Sequence, residues 1–586
     1  MYPKLKISSL LLKRLEKVTQ QCSGCLFGVI CDGAVVLFGF NFETTIGQLN
    51  YKQIQHKFPA EIDLCGLVKF GDCTDAESHI TEILQDVDIT DNPILLQCAL
   101  GTLVDLKVFI FMHEKLQAIP YEVISEEDLY RDFCFSRLRC NLKLYTEGDV
   151  QAIKQNMQRL RKNLAGGSLA FQVKDTRAYL IGGNNGIVTT IPSHTKILDV
   201  LNLTNNTIGE PVKAKKQTKT TLTAYEILNV RVLKGRTKDT SVQHAGLKMI
   251  TNPKDMKLCI PIEVDAMAML CKNTKLIILY DILIESICRT LRLIEQTMTD
   301  WISQGNELQT VPRTYHFAVP NFGHFISCGY IDKISEDQSY LQQKRKKLHH
   351  NFGLPLSKPF FRRANRYVFK DEQPDVPLVN VHIGLKPSGV NEGKQYLVQG
   401  KYSYYHYMQQ QFDDNGWGCA YRSLQTLCSW FRWQGYTERA IPTHEEIQKY
   451  LVNVGDKQSN FIGSRQWIGS TEVSMCLNGF IGVDSRILHV SSGADLSSKG
   501  SELAMHFESQ GTPIMIGGGV LAHTIIGVDF NGITGNIKFL ILDPHYTGQD
   551  ELSIIQGKGW CGWKGPDFWD KKSYYNLCMP QRPIMY

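Results

Sequence analysis

Cys419 stands where a helix should begin. It follows Gly416-Trp417-Gly418 and precedes apolar positions at Ala420, Leu424, Leu427, Cys428 and Phe431, a helical spacing that Gly435 ends. A thiol at a helix N-terminus meets unpaired backbone N–H groups and the positive end of the helix dipole, both of which favour the thiolate. With an imidazolium nearby, such a site brings a thiol from about 8.5 to roughly 3.5–7.5. The chemistry that follows is nucleophilic attack on a carbonyl. On its own, Cys419 reads more readily as a buried structural thiol, since free Cys is among the most buried residue types.

A thiolate nucleophile needs a base held by a third group. The apolar run KFLIL at 538–542 reads as a strand and ends in Asp543-Pro544-His545. In extended chain, residues i and i+2 share a face, so Asp543 and His545 can both look onto one site. Pro544 donates no N–H, which suits a strand that is ending. His523, in Leu521-Ala522-His523-Thr524, is the competing base; it lacks an adjacent carboxylate and reads as a supporting residue. His444 sits in a helix-capping segment, Pro442-Thr443-His444-Glu445-Glu446, and reads as a surface residue. His406 would point away from its neighbour Tyr407 in extended chain.

The elements that must carry this chemistry lie in a long chain. At 586 residues it exceeds one core, and two to four domains are expected. Hydrophobic residues make up 43% and charged residues 21%, an ordinary globular balance. A net charge of +6, without a basic face interleaved with aromatics, argues against nucleic acid. The 17 cysteines, odd in number and irregularly spaced, point to reduced thiols in a cytosolic setting; the lone CxxC at Cys22 and Cys25 reads as structural. The N-terminal residues lack a signal-peptide core, and the most apolar window, Ile94 to Met112, alternates like strands rather than a membrane span.

In chain order, residues 24–42 read as two strands around an Asp32-Gly33 turn, Tyr51 to His56 as a short helix and 63–71 as a strand. This order faintly resembles the MPN fold of the JAMM metalloproteases. Lys69-Phe70-Gly71-Asp72 stands where such an enzyme shows its metal-binding histidines, so a non-catalytic interaction domain is expected. Residues 147–165 read as a helix, 168–191 as short strands around Gly182-Gly183-Asn184-Asn185, 258–270 as a strand and 276–298 as a helix. The polar, basic stretch 204–221 reads as a mobile loop or linker, with a docking site for an acidic surface as the alternative. The basic run 339–350 reads as a helix with a solvated charged face, and 371–377 as a boundary. The expected division is an N-terminal α/β domain over 1–200, a linker over 201–221, an intermediate α/β region over 222–370 and a catalytic domain over 371–586.

Four segments, DDNGWGCAYRSLQT at 413–426, GSRQWIGS at 463–470, GTPIMIGGGVLAHTIIGV at 511–528 and LILDPHYTG at 540–548, resemble the ubiquitin-fold-modifier-specific proteases, most closely their longer, type-two branch. The resemblance covers roughly 310–586 and implies an α+β chain ending in a papain-like cysteine protease domain. It implies Cys419 as nucleophile, His545 as general base and Asp543 as its orienting carboxylate. It also places the family's oxyanion-hole tyrosine at Tyr407, where its hydroxyl would act with the backbone N–H of Cys419. The implied substrates are the ubiquitin-fold modifier precursor and its lysine conjugates, with no cofactor. The implied setting is the cytoplasm, with recruitment to the cytosolic face of the endoplasmic reticulum by a membrane-bound adaptor through the N-terminal region. A narrow channel for a glycine-ended tail is expected beside Trp417, Gly418, Trp467 and Gly518, with His523 nearby; core packing is the alternative for both tryptophans. Two rivals stand: an autophagy-type protease acting on lipid-linked modifiers, and a scaffold whose protease fold is inert.

Overall fold

Asp32 and Gly33 close the hairpin Cys22–Cys31/Ala34–Phe42 with φ of 51° and 73°, the left-handed pair that a two-residue turn needs to match strand twist. The computed structural model describes residues 4–584 apart from 43–50, 72–75, 88–91, 101–105, 168, 184–185, 208–224, 235–257, 308–311 and 373–376. In it the hairpin lies at the centre of an eight-stranded sheet. The order is Lys115–Ala118, Lys107–Met112, Ile94–Cys98, Asp63–Phe70, Cys22–Cys31, Ala34–Phe42, Lys4–Ser8 and Glu122–Ile124. Lys69 and Phe70 are buried in the fourth of these strands; Asp72 lies outside the described residues.

A second sheet of six strands runs Gly186–Thr189, Tyr179–Gly183, Leu169–Val173, Ile227–Lys234, Phe133–Thr146 and Leu258–Cys271. The helices Val150–Ala165 and Leu279–Ser303 supply Ile153, Met157, Leu283, Ile287 and Ile294 to its core. The linker expected over 201–221 is not a division between domains. Leu169–Val173, before it, pairs with Ile227–Lys234, after it, and residues 201–207 belong to the helix Ile197–Thr207. The remainder of that stretch, like Asn184 and Asn185 of the expected turn, lies outside the described residues. The segment leading into the strand Asp63–Phe70 is also bonded to the second sheet and its helix. The Ala60 N–H donates to the Met267 carbonyl at 2.9 Å, the Met269 N–H donates to the Ala60 carbonyl at 3.0 Å, and Arg289 donates to the carbonyls of Pro59 and Ile62 and to Asp63.

One compact unit therefore extends to Leu354 and a second begins at Pro355, ahead of the boundary read at 371. The reason is packing: Lys358 donates to Gln399 at 3.3 Å and Arg362 to the Gly435 carbonyl at 3.4 Å, so these residues belong with the C-terminal unit. Two further expectations change in the first unit. The basic helix Ser339–Asn351 is not a solvated face throughout, because Arg345 is fully buried against Glu336 at 2.5 Å and Lys344 donates to the Gly329 carbonyl at 2.6 Å. Fourteen described cysteines are free thiols, as expected, whereas Cys31 and Cys271 form a disulfide, Cα atoms 5.7 Å apart. Each ends its strand, and the fold brings those two ends together.

The C-terminal unit is built on one antiparallel sheet, ordered Ser485–Val490, Tyr575–Pro580, Ile514–Gly518, Leu521–Phe530, Ile537–Leu542 and Cys561–Lys564, with Lys394–Leu397 also paired to Leu521–Phe530. Strand alternation divides its side chains between two cores. Met515, Ile526, Leu540 and Leu542 join the helix Cys419–Trp433 on one face. Ile514, Ile525, Phe539 and Ile541 meet Leu503 and Phe507 of the helix Gly500–Ser509 on the other. Every residue of the first helix from Cys419 to Phe431 is buried, so its N-terminus is held against the sheet with little freedom to shift.

Candidate active site

The strand Ile537–Leu542 ends at Asp543, whose backbone N–H donates to the Trp560 carbonyl at 2.8 Å. Beyond it the chain turns, and one carboxylate oxygen of Asp543 accepts from both the backbone N–H of His545, at 3.0 Å, and its ring Nδ1, at 2.6 Å. With Nδ1 occupied, Nε2 is the ring nitrogen left for chemistry; it is buried with no hydrogen-bond partner among the described residues, and the ring acts electrostatically on the Cys419 thiol. Cys419 is the first residue of its helix. Gly416, at φ 81°, makes the turn that delivers it there.

The electrostatics follow from this arrangement. Burial alone would push the Cys419 thiol up. The His545 imidazole, a backbone N–H from Ala522 and the Tyr407 hydroxyl outweigh that burial and hold the thiol below its ordinary value. Burial opposes the imidazolium of His545, yet the hydrogen bond to Asp543 and the interaction with the thiol raise it to about 9. Both shifts favour the thiolate–imidazolium form of the pair. The Tyr407 phenol is pushed well above its ordinary range by burial and by the neighbouring thiol, so it stays protonated and able to donate. The backbone N–H of Cys419 acts on the same hydroxyl in the opposite direction.

Tyr407 is secured from several directions. Its backbone N–H donates to the Pro544 carbonyl at 2.9 Å, and its ring stands edge-on to His545 at 5.3 Å. Tyr404 donates its hydroxyl to the Asp543 carbonyl. His406 pairs through Nε2 with Asp550 at 2.7 Å, and its Nδ1 lies 2.9 Å from the Tyr407 carbonyl and 3.0 Å from that of Tyr546. His523 lies behind His545, ring centroids 5.1 Å apart, with its Nε2 3.9 Å from Asp543. The carboxylate it lacks in sequence is thus supplied by the fold. Burial lowers His523 to about 4, so it is neutral.

His444 is buried rather than at the surface. Its Nε2 pairs with Asp414 at 3.1 Å and its ring stacks on Tyr421 at 5.0 Å; the segment around it does form a capping box, Thr443 with Glu446. Of the five channel candidates, Trp417, Gly418 and His523 are buried and Gly518 is half-buried. Trp417 is buried among Phe412, Tyr421 and His444. A Cβ on Gly418 would lie 2.6 Å from the Asp414 side chain, and one on Gly518 would lie 2.2 Å from the Tyr575 ring. The side of each glycine that a Cβ would occupy faces protein atoms, and His523 is buried beside His545. Trp467 alone of the five is exposed, at 55%, with its ring N–H on the Gly416 carbonyl at 3.4 Å.

Comparison with known proteins matches residues 393–578 to Peptidase family C78, residues 1–129 to the insect UFM1-specific protease N-terminal MPN-like domain, and residues 154–374 to the N-terminal region of ubiquitin-fold modifier 1 specific protease 2. A probable Ufm1-specific protease 2 of Drosophila pseudoobscura pseudoobscura is 54% identical over the whole of both chains. The chain belongs to the Ufm1-specific protease 2 family. It is accordingly a cysteine peptidase with a mixed α/β fold, its C78 domain preceded by an MPN-like domain. The human Ufm1-specific protease 2 is 59% identical over 47% of this chain and 58% of its own. The crystal structure of UfSP from C. elegans superposes with a TM-score of 0.66 over 99% of both chains at 23% identity, a likeness of fold.

Several residues at this site are not marked as functional by their immediate neighbours, although Asp414, Arg422 and Ala522 lie within the segments that carry the resemblance. Tyr404, Asp414, Arg422 and the amide of Ala522 belong to segments that read as strand, loop or helix, and their partners lie 8 to 139 positions away in the cases of Arg422 and Tyr404. The one available hint was the buried spacing of Arg422 on the nucleophile helix, where a charged residue among apolar neighbours calls for a partner.

Proposed function

We propose that this chain is a thiol isopeptidase that trims the ubiquitin-fold modifier precursor after its C-terminal glycine and releases the modifier from target lysines. The observation that carries the reading is the Asp543–His545 pair at 2.6 Å with the Tyr407 ring edge-on to that imidazole at 5.3 Å, His545 and Tyr407 both lowering the Cys419 thiol. The Cys419 thiolate attacks the glycine carbonyl. The oxygen that becomes anionic accepts from Tyr407 and from the Cys419 N–H, and the His545 imidazolium passes its proton to the departing amine as the C–N bond breaks. Water then attacks the thioester, giving its proton to His545, and the modifier leaves with a free carboxylate. The relatives' names point to the same modifier.

Trp467, exposed beside the Gly416 turn, is the aromatic wall this reading assigns to the glycine-ended tail. No helix among the described residues is long and apolar enough to cross a membrane. Recruitment to the endoplasmic reticulum then falls to a membrane-bound adaptor held by the N-terminal unit.

Three probes test the substrate: the ubiquitin-fold modifier, ubiquitin and an autophagy-type modifier, each ending in a thiol-reactive electrophile. Labelling of Cys419 by the first alone is expected. Labelling mainly by the autophagy-type probe would transfer the assignment to that class, and labelling by none would favour an inert scaffold.

A further inference from the structure

We propose that Asp414, paired with Arg422, is the positioning residue of the oxyanion hole, clamping the Tyr407 loop to the start of the nucleophile helix. This rests on Tyr407 and the Cys419 N–H being the oxyanion donors. Asp414 is fully buried and touches neither the thiol nor His545 among its hydrogen bonds. One carboxylate oxygen accepts from the N–H of Met408, the residue after Tyr407, at 2.8 Å. The other accepts from Arg422 Nε at 2.5 Å and from His444 Nε2 at 3.1 Å. Its backbone carbonyl accepts from the N–H of Gly418, the residue before Cys419, at 2.9 Å, and its side chain fills the space that a Cβ on Gly418 would take. A single residue therefore grips the backbone next to both donors.

Arg422 completes the clamp from one turn along the same helix. Its Nη2 donates to the Gln409 carbonyl at 3.0 Å and its Nη1 to the Gln410 side chain at 2.6 Å. The loop it grips is conformationally costly. Met408, Gln410 and Gln411 lie at φ of 63°, 55° and 57°, a left-handed conformation that non-glycine residues adopt only where surrounding contacts over-determine it. Three such residues fall within four positions directly after Tyr407; the Gln409 side chain bonds Asp550, the Tyr404 carbonyl and the His406 N–H, while Asp414 and Arg422 supply the contacts that tie this loop to the start of the helix. A buried charge pair is seldom retained for stability alone, since apolar packing of the same volume often does as well. Burial opposes the charge on Asp414, but His444, Arg422 and the Met408 amide keep its carboxyl below the ordinary range, so it remains ionised as Arg422 requires.

The test is a double-mutant cycle in the full chain between Asp414→Asn and Tyr407→Phe, reading kcat and KM on a modifier conjugate beside iodoacetamide alkylation of Cys419. Alkylation forms no tetrahedral oxyanion. If Asp414 acts through Tyr407, Asp414→Asn lowers kcat by about tenfold or more with KM nearly unchanged, yet by less than about threefold once the tyrosine hydroxyl is gone. The pH profile of alkylation stays that of the parent. Equal falls in both backgrounds, or a fall in alkylation matching the fall in kcat, would overturn the clamp. Should thermal melting show Asp414→Asn unfolded, Gln410→Ala takes its place, because Gln410 is exposed and supplies one of the acceptors of Arg422. A several-fold loss of kcat that vanishes beside Tyr407→Phe supports the clamp, and no loss or an additive one overturns it. A neutral Tyr407→Phe would instead remove the oxyanion assignment and the clamp together, whereas an impaired Tyr407→Phe with additive Asp414→Asn removes the clamp alone.

Discussion

Replacing Asp543 with Asn probes how the base is held. In the parent, one carboxylate oxygen accepts from the ring Nδ1 and the backbone N–H of His545, which leaves Nε2 for the thiol. Burial opposes the imidazolium, and the hydrogen bond to Asp543, with the thiolate, raises it from the ordinary 6.5 to about 9. That gap corresponds to about 3 kcal/mol, shared between the two anions. An Asn removes one of those anions, and if its amide turns to donate to Nδ1, the ring proton moves to Nε2, which can then no longer accept from the thiol. In Ser-His-Asp triads the same isosteric change lowers kcat about 10⁴-fold. A fall on the order of 10²–10⁴ is expected here, the lower end for loss of charge alone and the upper for the wrong tautomer. The pH dependence distinguishes this from a folding defect. A folded-state value above the ordinary one means that the imidazolium is present at low pH and lost as pH rises through about 9. The basic limb of kcat/KM should therefore lie near 9 in the parent and move toward neutrality in Asp543→Asn. Rates on a fluorogenic modifier substrate from acid to alkaline pH, with melting curves for both proteins, supply the measurement. A basic limb that stays in place with kcat within about threefold of the parent would refute the orienting role.

Cys419→Ala should abolish cleavage while melting close to the parent, because a small side chain is tolerated at a helix start; turnover near the parent's in purified Cys419→Ala would remove the nucleophile assignment. Tyr407→Phe should lower kcat by about 10²–10³ with little change in KM, since its hydroxyl meets an oxygen that is anionic only during the reaction; Tyr405→Phe, measured beside it, should be nearly neutral, and equal small effects would leave the oxyanion hole without a side-chain donor. A fragment from Pro355 to the C-terminus should fold and react with a modifier probe while losing membrane recruitment in cells; a folded fragment that cannot react would show that the first unit contributes to catalysis.

Much of the chemistry was legible because it is local. A glycine-flanked cysteine before a helical apolar run, a carboxylate two residues from a histidine at a strand end, and an Asp-Gly turn between apolar strands each depend on neighbours a few positions away, and the backbone takes those forms whatever lies elsewhere. The helix beginning at Cys419, the Asp543–His545 bond and the Cys22–Cys31 hairpin follow. What tertiary structure alone decided depends on residues far apart in the chain. Strands on either side of 201–221 share a sheet because their hydrogen bonds run between segments some 60 residues apart in sequence terms. Gly418 and Gly518 pack against Asp414 and Tyr575. His444, polar and next to a cap, is buried because Asp414 can partner it. Burial of a polar group is set by whether a partner arrives to satisfy it. Local sequence establishes which groups can do chemistry; the long-range contacts of the folded chain establish which of them meet, and which are spent holding the others in place.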